Sequence, residues 1–388
     1  MTSVTSVRFR VLCSVVGLVA LAARADAGLT EASRLSAVYD TILQARFDEA
    51  ERQLAQTCPP APEEACKAIR VASLWWQIVL DPYNRSLDDR FEQSATDAIA
   101  SATAWTRREP RRAEAWFYLA GSYAPYLQWR VLRGERLAAA REATKVKSAL
   151  ERALELDQSL HDAYFGIGLY HYYADVAPAA AKILRVLLLM PGGDRVLGLK
   201  EMLQARERGQ LLTGEADFQM HWLYLWYEKD PRRALGLLEG LDARYPSNPQ
   251  FLERIAEVQH EYFHDHQASA VAWQALIDRA REGRVNAARM AETRARLGLA
   301  AELIELSQPS AALDHLNVVV STRSTTPYAA QALAQFELGR AYDRLGRRDL
   351  ASTAYSAAVT LAPSDDALRL RSRARAALRD SARDGVAK

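Results

Sequence analysis

His260-Glu261-Tyr262-Phe263-His264 is the stretch of this 388-residue chain whose residue types and spacing come nearest to catalytic chemistry. On a helix, H-E-x-x-H puts two imidazoles one turn apart on one face, where they bind zinc and hold the glutamate against a zinc-bound water. His266 follows two residues later as a further nitrogen donor, and Glu292 is the best candidate for a third protein ligand. The string has only three fixed positions, and it ends a predicted helix just before a turn at Asp265-His266-Gln267. Tyr262 and Phe263 inside it suit packing against a neighbouring helix. We therefore read the stretch as packing, and the chain as non-catalytic with no cofactor. Two alternatives stand beside that reading: a zinc metallopeptidase using His260, Glu261 and His264, or a metal held by His260, His264 and His266.

Other chemistry is weaker. Pro191-Gly192-Gly193-Asp194-Arg195 precedes a predicted helix over 196–208, and a glycine pair there could offer free backbone N–H groups to an anion. No Walker lysine follows, and Asp194 reads better as the helix N-cap, occupying the place of the anion. There is no G-x-S-x-G and no dinucleotide fingerprint. Aromatic residues gather at Trp116, Tyr118, Tyr123, Tyr126 and Trp129, at Tyr164, Tyr170, Tyr172 and Tyr173, and at Trp222, Tyr224, Trp226 and Tyr227. Most must fill seams between helices. Tyr170–Tyr173 and Trp222–Tyr227 cover more than one helix face, however, so some rings should stand free as anchors. Trp116, Tyr123, Tyr173, Trp222 and Tyr227 are the expected binding residues, with a small-ligand or glycan groove on the same clusters as an alternative.

The elements that must position these residues are helices throughout, since apolar periodicity of 3.6 persists with no strand-like alternation. Ahead of them, Arg8 and Arg10 precede an apolar run over 11–23, and Ala25-Asp26-Ala27 is an A-x-A site before Gly28. Residues 1–27 therefore read as a cleaved secretory signal peptide, and 28–388 as one helical domain in a secreted or periplasmic protein. No later stretch reaches the roughly 18 apolar residues that a spanning helix needs. The expected signal takes three basic residues and one acid from the 50 and 48 of the whole chain, so the remainder is close to neutral. A balanced chain without a basic block has no electrostatic footprint for nucleic acid. Cys58 and Cys66 remain after the signal and are expected to form a disulfide across a short loop between two helices, adding about 2–3 kcal/mol.

Helix starts are marked at Asp230-Pro231, Asn248-Pro249 and Thr326-Pro327, at Ser86 with Asp89, and at Ser364 after Pro363. Between Trp129 and Leu156 the spacing calls for a long helix or an inserted turn. In 332–363, Leu338, Gly339, Tyr342, Gly346, Ala351, Tyr355, Ala358 and Pro363 stand at the spacing of a 34-residue helix-turn-helix unit. Weaker copies fall at Phe47–Ala50, Trp116–Tyr123, Tyr164–His171 and Phe218–Pro246. A terminal capping helix is expected at about 366–380, with Leu368, Leu370, Ala374 and Leu378 on one side.

On these residues the chain resembles the tetratricopeptide-repeat superfamily in an exported bacterial form, with one departure: Gln335 stands where the repeat usually has a large aromatic. The resemblance implies an all-α, right-handed α-solenoid of stacked helix-turn-helix repeats, whose concave groove binds a protein or peptide partner without chemistry of its own. The stretch 184–212 is also similar to a segment of a eukaryotic branch of these proteins linked to the outer mitochondrial membrane and inclusion-body clearance. The fold is carried over from that second likeness, and the eukaryotic role is not.

Overall fold

A computed structural model describes residues 28–177 and 192–386, so the expected signal segment and residues 178–191, Pro191 among them, lie outside the described residues. Seventeen helices and no strand occur among the described residues. They run as antiparallel pairs: α1 (Ala32–Leu43) with α2 (Phe47–Thr57), α3 (Glu63–Leu80) with α4 (Asp88–Arg108), α5 (Ala113–Leu132) with α6 (Arg136–Leu156), and α7 (Ala163–Val176) with α8 (Arg195–Arg208). Four more pairs follow: α9 (Thr213–Trp226) with α10 (Pro231–Arg244), α11 (Pro249–Phe263) with α12 (His266–Arg281), α13 (Ala288–Glu305) with α14 (Pro309–Thr322), and α15 (Ala330–Arg344) with α16 (Arg348–Leu361). Helix α17 (Leu370–Val386) packs on the last pair. The chain is thus an all-α solenoid of helical hairpins, and no helix among the described residues is long and apolar enough to cross a membrane.

Local chemistry sets many of the boundaries. The side chains of Asp194, Asp230 and Asp265 each accept from the backbone N–H three residues on, and Asn248 from the second, so all four cap their helices as N-cap residues do. Pro231 and Pro249 occupy the first helical position, where a missing N–H breaks no bond. In α2 the buried residues Ala50, Leu54 and Thr57 fall one turn apart, which is the stripe a hairpin's outer helix needs.

Three expected caps are displaced. Thr326-Pro327 lies ahead of α15, which starts at Ala330 after a left-handed Ala329. Helix α4 starts at Asp88 with no side-chain cap, so Ser86 and Asp89 form no capping box. The C-terminal helix starts at Leu370 rather than 366, because Asp366, not Ser364, accepts from the N–H groups of Leu370 and Arg371 at 2.7 and 3.1 Å. Between Trp129 and Leu156 the structure has both features at once, a tight turn at 133–135 and a 21-residue α6.

Candidate functional site: a filled groove, a residual cleft and an aromatic ridge

The first helices of the early hairpins lie against the first helices of the later ones. From α1, the Tyr39 hydroxyl donates to Glu215 Oε2 at the start of α9 (3.1 Å), and from α3 the Trp76 Nε1 donates to the same oxygen (2.9 Å). The Trp76 ring sits 4.8 Å from Phe218 of α9 and 6.1 Å from Phe251 of α11. At the ends of these helices Asn248 Nδ2 donates to the Leu43 carbonyl, and Arg294 Nη1 of α13 donates to the Leu80 carbonyl. The inner face of α9 and α11 is therefore covered by the chain's own α1 and α3, and an extended peptide has no room on that stretch of the concave surface. Gln219 Nε2 supplies the third hydrogen bond to Glu215, at 2.9 Å on Oε1. All three donors are neutral, and burial holds the Glu215 carboxyl above the usual range.

What remains of the groove is a cleft between α3, α5, α6, α7 and the start of α9, enclosing ≈ 730 Å³ of space that opens in part to solvent. Trp75, Phe117, Leu150 and Phe165 supply apolar wall, and Glu215 and Gln128 are among its few polar groups. Tyr118 also lines it, 2% exposed, and its hydroxyl has no hydrogen-bond partner. Burial raises the Tyr118 phenol well above its ordinary value, so it stays neutral and can donate. A Cβ built on Gly121 would point into open space, as expected for a residue on the cleft wall. In the sequence, Tyr118 is one ring of a cluster and Glu215 carries no signal beyond being an acid ahead of an apolar run. Glu215 is held at the cleft by Trp76 and Tyr39, 139 and 176 residues away along the chain.

Two of the aromatic clusters join at the C-terminal ends of α7 and α9. Tyr173 and Tyr227 meet edge to face at 5.8 Å, Tyr172 meets Tyr227 at 5.9 Å, and Trp222 stacks on Trp226 at 4.4 Å. Arg254 of α11 lies 5.3 Å over the Trp222 ring. Tyr173 and Tyr227 are each 36% exposed and Trp226 is 47% exposed, so the rings form a ridge open to solvent. Trp116 and Tyr123 are not part of it. They sit on α5, where the Trp116 Nε1 donates to the Pro110 carbonyl and Lys145 lies 4.9 Å over the Tyr123 ring. Tyr126 and Trp129 are buried in the α3, α4 and α5 seam, the packing role given to most of the aromatics.

The H-E-x-x-H string does not sit on one helical face. Helix α11 ends at Phe263, and His264 is left-handed at φ 53°, turning the chain into the Asp265 cap of α12. Glu261 is exposed and Glu292 bonds to Arg296, so neither approaches His260 as the motif anticipates. His260 and His266 converge on Glu302 of α13 instead, a residue that sequence reading passes over. Among the other sites, the sulfur atoms of Cys58 and Cys66 lie within disulfide distance of each other across the α2–α3 turn, with Cα atoms 6.6 Å apart. Gly193 packs on α7 so tightly that a Cβ would come within 2.3 Å of the His171 carbonyl oxygen, which explains a glycine there without an anion.

The last hairpin shows what kind of unit is repeated. A Cβ on Gly339 would come 2.4 Å from Tyr355 Cε1, and Ala351 and Ala358 are fully buried between the helices, which matches the small-residue positions of the 34-residue unit. Phe336, next to the polar Gln335, supplies the missing large ring and packs 5.7 Å from Tyr355. This hairpin has the small-residue seam of a tetratricopeptide unit. No family model matches the chain, and no curated protein matches it. Among solved structures it is similar to yeast Tom70, with 14% identity over 89% of this chain and 81% of that one and a TM-score of 0.41. It is also similar to a chain of the APC/C hetero-tetramer Cut9-Hcn1, with 15% identity and a TM-score of 0.40; the match covers 84% of this chain and 59% of that one. A third likeness is to YrrB, a TPR protein with an unusual peptide-binding site, with 15% identity over 71% of this chain and 98% of that one and a TM-score of 0.30.

Proposed function

We propose that this chain is a non-catalytic helical-repeat scaffold, exported to the periplasm or cell envelope by a cleaved signal at residues 1–27, that binds a protein or peptide partner. The observation that carries the reading is the ridge of Tyr173, Trp226 and Tyr227, because rigid amphipathic rings left exposed at one edge are the side chains that dominate interface energies. The partner docks on the ends of α7 and α9 rather than along the inner groove, which α1 and α3 occupy. Export rests on the N-terminal residue pattern, and the closeness of Cys58 and Cys66, which suits a disulfide, fits an oxidising compartment.

The test is site-specific photo-crosslinking in cells, with the crosslinker at Tyr227 and, as a control, at the exposed Val318 of α14. A reproducible partner at Tyr227, absent at Val318 and lost in the Tyr173→Ala/Trp226→Ala variant, supports the reading; equal capture at both positions overturns it. Fractionation of the same cells checks export.

The cleft favours a second reading, a small apolar ligand with one group that accepts a hydrogen bond from Tyr118. The cleft is lined mostly by apolar groups, and a buried hydroxyl without a partner is costly unless something meets it. Native mass spectrometry of protein purified from its own host checks this: a retained small molecule that Gly121→Leu removes would favour the cleft over the ridge.

A further inference from the structure

We propose that His260, His266 and Glu302 form a site for a divalent transition metal that joins α11, α12 and α13. Three donor atoms from three consecutive helices come within 4.8 Å of one another. His260 Nδ1 lies 2.9 Å from Glu302 Oε1, and His266 Nδ1 lies 2.8 Å from Glu302 Oε2. The two imidazole nitrogens flank the two oxygens of one carboxylate, an arrangement in which both nitrogens and the carboxylate can turn onto a single metal ion. The remaining gap between the two imidazoles closes by a small rotation of rings that are not buried, with side-chain exposures of 44% and 33%.

Two further observations distinguish this cluster from an ordinary ion pair. Glu302 is 3% exposed, and the groups meeting its carboxylate are the two imidazoles and a serine hydroxyl. A buried carboxylate without a permanent cation is costly, and a divalent ion removes that cost. In addition, His260 Nδ1 is buried and has no aligned hydrogen-bond partner although it lies 2.9 Å from Glu302 Oε1. The Ser269 hydroxyl donates to Glu302 Oε1 at 3.0 Å and orients the carboxylate, as groups behind metal ligands do.

Two imidazoles and one carboxylate select zinc, cobalt, nickel or iron(II) over calcium and magnesium, which prefer all-oxygen shells. The exposed imidazole side leaves the remaining positions to water. The linear H-E-x-x-H string is not the ligand set: it shares His260 with the site, while His264 stands apart from the cluster as the C-cap of α11.

The experiment uses untagged, chelator-stripped full chain titrated with cobalt(II). The expected result is one equivalent bound with visible d–d absorption that zinc abolishes. Affinity should fall at least about tenfold in His260→Ala and in His266→Ala, and stay unchanged in His264→Ala. If either alanine variant loses its helical circular-dichroism spectrum, the glutamine replacement at that position takes its place. Three results would overturn the site: no cobalt spectrum, affinity indifferent to both His260 and His266, or an equal loss in His264→Ala.

Discussion

The hairpins before and after α12 differ in how they are held. From Leu29 to Val258 one continuous buried cluster runs through both early and late helices, so α1 and α3 share a core with α9 and α11. Beyond it the buried residues fall into successive small clusters, around Trp273, Leu316, Tyr355 and Leu370, each joining neighbouring helices only. The apolar core of the second region is a chain of nearest-neighbour interfaces, as in solenoids, tied to the early helices through the few contacts of Asn286, Arg294 and Tyr328, whereas the core of the first region is long-range like that of a globular domain. The difference teaches that a repeat pattern determines the unit without determining whether the array stays open. A few residues on the inner helices, Tyr39, Trp76, Glu215 and Phe251, close the first region on itself.

The sharpest way to break that contrast is at Trp76, which is 1% exposed between α3, α9 and α11. Trp76→Ala should cost about 3–5 kcal/mol and raise hydrogen exchange in α1, α3, α9 and α11 together. Leu316→Ala, also fully buried, should raise it only in α13 to α15. Equal spread of the two effects would erase the distinction. Reducing the Cys58–Cys66 bond, or replacing both cysteines by Ser, should lower stability by about 2–3 kcal/mol in denaturant titration, because the bond closes a short loop. A smaller, local effect is expected at Gly339→Ala, where the new methyl meets the Tyr355 ring: about 1–3 kcal/mol, confined to α15, α16 and α17 in exchange mass spectrometry.

Glu215 offers a pH test of the closed region. Its folded carboxyl is raised above the unfolded value, so the folded state holds its proton longer and stability falls as pH rises through that interval. Glu215→Gln should flatten this fall above about pH 4.3, the unfolded value. Thermal melts across the range check it, and an unchanged slope would remove Glu215 as its source.

Much of the array is legible from residues that act locally. Asp194, Asp230 and Asn248 announce helix starts because a capping side chain and its backbone partner lie two or three residues apart, and Gly339 with Ala351 announces a helix pair because both belong to one hairpin. Gln335 misleads by a single position, since Phe336 fills the seam instead. The closed groove is a different matter. Tyr39 and Glu215 are separated by 176 residues and nothing in the spacing of either marks the other. The same holds for the candidate sites: the Tyr173 and Tyr227 clusters are visible one at a time, and Glu302 has no motif, because proximity across hairpins is set by the curvature of the stack and not by any local pattern.

The closure also bears on the order in which the protein can be completed. A stack of neighbouring hairpins can fold as it is made, each pair settling on the one before it. Here the apolar faces of α1 and α3 wait for α9 and α11, and Trp76 meets Glu215 only after 139 further residues have been synthesised. At about 5–20 residues per second that interval is on the order of ten seconds or more. The N-terminal helices are therefore the segment most in need of protection during synthesis, and the C-terminal hairpins are the part able to assemble without delay.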